Sequence, residues 1–318
     1  MNRREILCAL VAVLTVALVV GAGPARAYQF TRSLSRGDTG PDVRQLEIRV
    51  AGWFPRDDRT RLRIDEEFGW YTDRAVRVFQ RRHGLAVDGI AGPRTFAELD
   101  RLEDRNGSTL HFDWSEFRQN YNPNCSAKAN AYAGTFQGGM VSRHSARHYV
   151  RRLMWRLEAV RSKGGNNPMG INSGFRSIPY NDCIGGARSS QHLYGTAADN
   201  RIAKTDNRRA RTIARSSQVH GIGCYSSLTH NHFDLRLENV FLSEARFWWW
   251  PERDSQGRDL ASDDRPCWGQ SGSSASVQNA DVSRVRSGVA GYGSLVPSTA
   301  EVAAFEFAGE VSDLHGQD

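Results

Sequence analysis

Lysine is nearly missing from this chain. Lys128, Lys163 and Lys204 are its only examples, so the net charge of +7 at pH 7 rests almost wholly on arginine. Cysteine is sparse too. Five occur in 318 residues and none forms a tight C-x-x-C pair, which excludes a thiolate zinc knuckle. Apolar runs of membrane-spanning length are absent after Val20, which excludes a multi-span membrane protein. What remains at the start is informative. Arg3 and Arg4 precede an apolar run from Ile6 to Val20, and Ala25-Arg26-Ala27 gives an A-x-A cleavage site before Tyr28. Residues 1–27 therefore read as a signal peptide rather than an uncleaved anchor, and the Arg3-Arg4 pair leaves a twin-arginine route open. Removing this segment leaves roughly 290 residues, enough for two domains, with a charge of about +5. That balance suits an acidic polymer, and export makes the cell wall a better partner than nucleic acid. Cys8 departs with the signal. Cys125, Cys183, Cys224 and Cys267 are an even set in an exported chain, so two disulfides are predicted, with three connectivities open.

Between Leu34 and Leu102 one short pattern recurs three times: Gly37-x-x-Gly40-x-x-Val43, Gly69-x-x-Thr72-x-x-Ala75 and Gly89-x-x-Gly92-x-x-Thr95. Each leads into a helical apolar stripe: Val43, Leu46 and Val50; Val76 and Phe79; Phe96, Leu99 and Leu102. Pro41 and Pro93 sit where first-turn proline is tolerated, and Thr72 before Asp73 is predicted to cap the second helix. Three such helices close one small core. The run from Gly69 through Phe79-Gln80 to Gly84-Leu85, Asp88-Gly89-Ile90, Gly92 and Thr95 resembles the peptidoglycan-binding repeat domain of cell-wall hydrolases. The Arg- and Asp-rich stretch from Ala51 to Phe68 is a longer loop than usual there. The resemblance implies wall binding.

Asp104-Arg105-Asn106-Gly107-Ser108 is polar and turn-forming, which places a boundary between domains at 28–103 and 104–270, before a Ser-, Gly-, Ala- and Val-rich tail at 271–318. A helix is predicted from near Ser145 to Lys163, with Val150, Leu153, Met154, Leu157 and Val160 on one face and Gly164-Gly165 as its stop. Met169 to Arg176 reads as a strand running into a turn. The chemistry concentrates in Ser190-Gln191-His192-Leu193-Tyr194-Gly195-Thr196-Ala197-Ala198-Asp199 and in His230-Asn231-His232-Phe233-Asp234. In an extended strand His230, His232 and Asp234 share a face. Imidazole and carboxylate are what zinc takes when thiolates are absent, and catalytic zinc keeps three protein ligands and one open position. His192, Asp199 and His232 can supply the three, with His230 beside the opening. Asp234 is either a partner orienting a ligand histidine or a strand-end surface acid. His144, His148 and His220 fall outside the constellation. Trp248-Trp249-Trp250 line a groove or pack in a core.

The order Ser173-Gly174-Phe175-Arg176-Ser177, then Ser-x-His-x-x-Gly-x-Ala-x-Asp, then His-x-His resembles the zinc D-alanyl-D-alanine carboxypeptidase family and its hedgehog-like fold relatives, over about His111 to Gln270. The resemblance implies one Zn2+ per chain on His192, Asp199 and His232, with His230 as general base. Arg176 would engage a terminal carboxylate or the scissile carbonyl, and Ser190 would bind substrate or its own backbone. Where some relatives carry glutamate three residues before the last ligand, this chain has Thr229. The expectation is thus an α+β protein: a three-helix peptidoglycan-binding bundle, then an α+β peptidase domain with an antiparallel sheet. It is expected to be a secreted, wall-associated monomer that removes terminal D-alanine from stem peptides and binds neither nucleic acid nor membrane after signal cleavage. An endopeptidase using the same site, and a catalytically silent wall-binding protein, are the alternatives.

Overall fold

Each of the three glycine-led repeats opens a helix: α1 (Pro41–Val50), α2 (Trp70–Arg82) and α3 (Pro93–Arg101). The structure, a computed structural model, describes residues 28–55, 61–224, 230–238 and 248–251. Residues 1–27, expected to be a signal peptide, lie outside these residues, as do Thr229, Cys267, residues 271–318 and the side chains of Cys224 and Trp248 to Trp250. Pro41 and Pro93 occupy first-turn positions, where the missing N–H is harmless and φ is already helical. Thr72 does not cap α2. Gly69 does, and Thr72 lies inside the first turn, buried, with its hydroxyl donating to Glu47 Oε1 at 3.0 Å. The three stripes close one core, with Val43, Leu46, Val50, Val76, Phe79 and Leu99 fully buried. The described end of the stretch after α1, residues 61–68, is anchored: Leu62 and Phe68 enter the core, and the Glu47 carboxylate accepts from the backbone N–H groups of Asp65 and Glu66.

The second half is organised by α4 (Arg143–Lys163), which begins two residues before the predicted start because Ser142 caps it, accepting from the Ser145 N–H. It ends at Gly164, followed by Gly165 at φ 87°. After it come β1 (Met169–Ser173), α5 (Ile178–Cys183), β2 (Ala197–Ile202), α6 (Asn207–Arg215), β3 (Gly221–Cys224), β4 (Asn231–Asp234) and β5 (Trp248–Pro251). The sheet order is β1-β2-β4-β3-β5. It is antiparallel except at its edge, where β5 joins β3 in parallel. Side chains alternate across a sheet. The row Ala198, Phe233 and Ile222 therefore turns one way and joins Leu153, Leu157, Val160, Ala210 and Ala214 of α4 and α6 in the main core. The row Asp199, His232 and Gly223 turns the other way, away from the helices. A disulfide, Cys125–Cys183, ties the loop preceding α4 to the end of α5, with Cα atoms 6.0 Å apart.

The two halves share packing. Trp155 and Ala159, on the opposite side of α4 from its sheet-facing stripe, belong to the core of the three-helix bundle. Gly52 lies so close to this helix that a Cβ there would sit 2.6 Å from Ala159 Cβ, so only glycine admits the approach. Charged groups are buried along the same seam. Glu103 receives Arg49 at 2.7 Å and Arg151 at 2.6 Å. Arg156 donates to the Ile48 carbonyl and to Glu238, Lys163 to the carbonyls of Gly52 and Ser216, and Arg61 to the carbonyl of Leu237. The turn-forming stretch after α3 is tied down at its ends, with Ser108 and Thr109 buried and Glu103 bridged to Thr109. No helix among the described residues is long and apolar enough to cross a membrane.

Candidate metal centre

Three ligand-type side chains meet on the sheet face away from α4. Asp199 of β2 and His232 of β4 are direct cross-strand partners, so their side chains stand together. His192 comes from the 3-10 turn Gln191–Tyr194 just before β2. That turn ends at Gly195 with φ 80°, and a Cβ there would meet the Ala146 carbonyl at 2.6 Å. The glycine of the motif is thus required to fold His192 back over Asp199. His192, Asp199 and His232 are all buried, and among the described residues they form the only cluster able to hold a metal ion.

Their inner atoms make a small triangle. His192 Nε2 lies 3.2 Å from His232 Nδ1 and 3.3 Å from Asp199 Oδ1, and His232 Nδ1 lies 3.0 Å from the same oxygen. A tetrahedral zinc with bonds of about 2.0–2.1 Å separates its ligands by about 3.3 Å. The three atoms fit one face of that tetrahedron. Each outer nitrogen is also engaged. His192 Nδ1 faces the Gly174 carbonyl at 2.6 Å, and His232 Nε2 faces Asp234 Oδ2 at 3.1 Å. Donation outward through those nitrogens leaves the inner lone pairs available to a cation and fixes each ring.

The carboxylates are held in turn. Arg176 donates Nη2 to Asp199 Oδ2 at 2.5 Å and Nε to Ser173 Oγ at 2.8 Å, and Ser173 is the β1 neighbour of Asp199. Arg236 grips Asp234 through Nε at 2.9 Å and Nη2 at 2.5 Å. Asp234 is fully buried beside Gly221, where a side chain would collide with its carboxylate. It is therefore a partner of His232 and not a surface acid. Burial, with Arg176 close by, pulls His192 down to about 4, so its ring is neutral near pH 7. Burial pushes Asp199 up, but the two imidazoles outweigh this and hold it well below the ordinary range. For Asp234 burial is again outweighed, by Arg236 and His232, and the carboxyl stays ionised. Burial lowers His232, yet its hydrogen bonds to Asp199 and Asp234 raise it overall.

His230 stands immediately before β4 and is half-buried. Ser190 caps the turn that carries His192 and is likewise half-buried, without a side-chain capping bond. His148 and His220 are buried in the fold, the latter donating its backbone N–H to the Asp234 carbonyl. Sequence reasoning missed Arg236 and the role of Ser173. No strand alternation marked Arg236, which lies in the 3-10 turn Arg236–Glu238 after β4; its nearness to Asp234 in sequence was the only signal.

The sequence profile of the peptidase M15 family matches residues 127–234, a span containing every residue of this centre except Arg236. A peptidoglycan binding domain profile matches residues 39–99. The chain is 40% identical over 172 residues to the zinc D-Ala-D-Ala carboxypeptidase of Streptomyces albus G, covering 54% of this chain and 62% of that protein. Over 75 residues it is 36% identical to the spore cortex-lytic enzyme of Halalkalibacterium halodurans, 23% of this chain and 21% of the relative. A spore cortex-lytic enzyme of Bacillus cereus is 35% identical over 80 residues, 24% of this chain and 29% of the relative. The chain thus spans less than two thirds of the length of each of these relatives.

Proposed function

We propose that this chain, which carries a peptidase M15 domain behind a peptidoglycan-binding domain, is a zinc D-alanyl-D-alanine carboxypeptidase acting on peptidoglycan stem peptides. The observation that carries the reading is the triangle of His192 Nε2, Asp199 Oδ1 and His232 Nδ1, with edges of 3.0–3.3 Å. One zinc per chain would be held there. When bound, zinc supplies a Lewis acid that polarises a carbonyl and makes water acidic enough to attack near neutral pH.

The chain's own residues do the rest. His230 accepts the proton of the attacking water and returns it to the departing amine. Arg176 uses Nε and Nη2 on Ser173 and Asp199. Its Nη1 is left to receive the terminal carboxylate of the substrate or the oxygen that gains charge as the bond breaks. Asp234 and Arg236 keep His232 oriented throughout. Ser190, at the rim of the His192 turn, contacts the substrate. Export and residence at the wall follow from the segment 1–27 and the binding domain, and the enzyme works as a monomer.

Mass spectrometry of the products from purified wall fragments tests the reading. Free D-alanine with crosslinks intact is the expected result. Larger peptide fragments would show an endopeptidase, and binding without any hydrolysis would show a catalytically silent wall protein.

A further inference from the structure

We propose that Trp70, Tyr71 and Arg74 form a platform on which the glycan strand of peptidoglycan seats. The proposal rests on the wall-binding reading of the N-terminal domain and says where on that domain the polymer lies.

The three repeats provide an internal comparison. All three helices are entered through a glycine cap, Gly40, Gly69 or Gly92. α1 then opens with Pro41-Asp42 and α3 with Pro93-Arg94, residues that suit a first turn. α2 opens with Trp70-Tyr71 instead. Helix initiation does not call for two aromatic rings, as the sister repeats show. Nor does the core, because Trp70 is 50% exposed and Tyr71 40%. Two large rings left half in water forgo about half of the roughly 1.5–3 kcal/mol that full burial of each would contribute, a cost that a covering ligand offsets.

The rings are nonetheless held in place. Phe54, 2% exposed and supplied by the loop after α1, meets Tyr71 edge-on at 5.3 Å between centroids and Trp70 at 6.3 Å. Trp70 and Tyr71 contact each other at 5.2 Å. One turn along the helix, the exposed Arg74 lies over Trp70, with Cζ 5.7 Å from the ring centroid. Its neighbour Arg77 is paired with Asp73, whereas Arg74 enters no ion pair among the described residues. The surface therefore offers two half-exposed aromatic rings held against Phe54, an indole N–H, a phenolic hydroxyl and a cation that rests on Trp70 and forms no ion pair among the described residues.

That combination fits a wall glycan. Pyranose rings present C–H faces to an aromatic plane, their N-acetyl groups take hydrogen bonds, and the carboxylates of the wall answer Arg74. An extended peptide would instead need a free strand edge or a groove, and the start of a helix offers neither.

The test uses the zinc-loaded full chain and purified insoluble peptidoglycan. A Trp70→Ala/Tyr71→Ala variant is expected to co-sediment with the wall about tenfold more weakly or worse, while D-alanine release from a soluble stem pentapeptide stays unchanged. A Trp70→Phe/Tyr71→Phe variant, which keeps the rings, is expected to retain most of the binding. Glycan stripped of its peptides by an amidase should still bind the unsubstituted protein. Undiminished sedimentation of the alanine variant would overturn the platform. Loss of binding once the peptides are stripped would overturn the glycan as its occupant. If the unsubstituted protein fails to sediment at all, the wall-binding reading itself falls, an outcome distinct from both.

Discussion

Replacing Glu238 with glutamine removes the anion that neutralises Arg156 and Arg152 of α4 beside the seam between the two halves, and the cost is calculable. The Glu238 side chain is 7% exposed and pairs with Arg156, which is 0% exposed, and with Arg152, which is 6% exposed. Burial alone would raise the carboxyl, but Arg156 and Arg152 overcome it and hold Glu238 at about 2 instead of 4.5. At about 1.4 kcal/mol for each tenfold change in proton affinity, that is worth roughly 3 kcal/mol. An independent figure agrees: breaking a buried pair and stranding the remaining charge costs about 3–5 kcal/mol. Because the folded carboxyl is the stronger acid, its contribution is complete above pH 4.5 and is lost as the pH falls through about 2. Urea unfolding of the protein and of Glu238→Gln at pH 7 should therefore differ by about 3 kcal/mol, and the gap should close on acidification toward pH 2. Unfolding should also be a single transition, since Trp155 and Ala159 belong to the bundle core while Val150, Leu153, Met154, Leu157 and Val160 of the same helix belong to the sheet core. Equal stabilities at pH 7, or a gap indifferent to pH, would refute this account of the seam.

Other outcomes follow from the same geometry. Asp234→Asn should weaken zinc binding by about 10–100-fold in a chelator competition, because His232 loses the carboxylate that orients it; unchanged affinity would remove Asp234 from the centre. His230→Ala should keep zinc and lose most turnover, so full activity in that variant would discharge His230 as the base. Reducing Cys125–Cys183, which closes a separation of 58 residues, should lower stability by about 2–4 kcal/mol in a denaturant titration. An unmoved midpoint would show that the bond braces nothing.

What the sequence revealed was local. The three helices, their prolines and their apolar stripes were legible because each depends on neighbours three or four positions away. The candidate ligands were read for a different reason: a lone His-x-His is a weak signal, but its order after Ser-x-His-x-x-Gly-x-Ala-x-Asp resembles a metallopeptidase family, and the structure brings His192, Asp199 and His232 together. Thr72 was misplaced because glycine caps as well as threonine does, and its hydroxyl instead serves Glu47 across 25 positions. The second buried face of α4 went unnoticed because Arg152 and Arg156 look like solvent-facing residues until Glu238, more than 80 positions later, is brought beside them. The parallel β5 is equally non-local, since its pairing with β3 leaves no trace in the pattern of its own residues. The pairing of Cys125 with Cys183 was one of three connectivities that spacing alone could not separate.

Elemental analysis of the zinc-reconstituted protein beside His192→Ala, Asp199→Ala and His232→Ala tests the central claim most directly. About one zinc in the unsubstituted chain, and loss of it in all three variants, is the expected result. A protein that retains no zinc, or variants that keep it undiminished, would contradict the account.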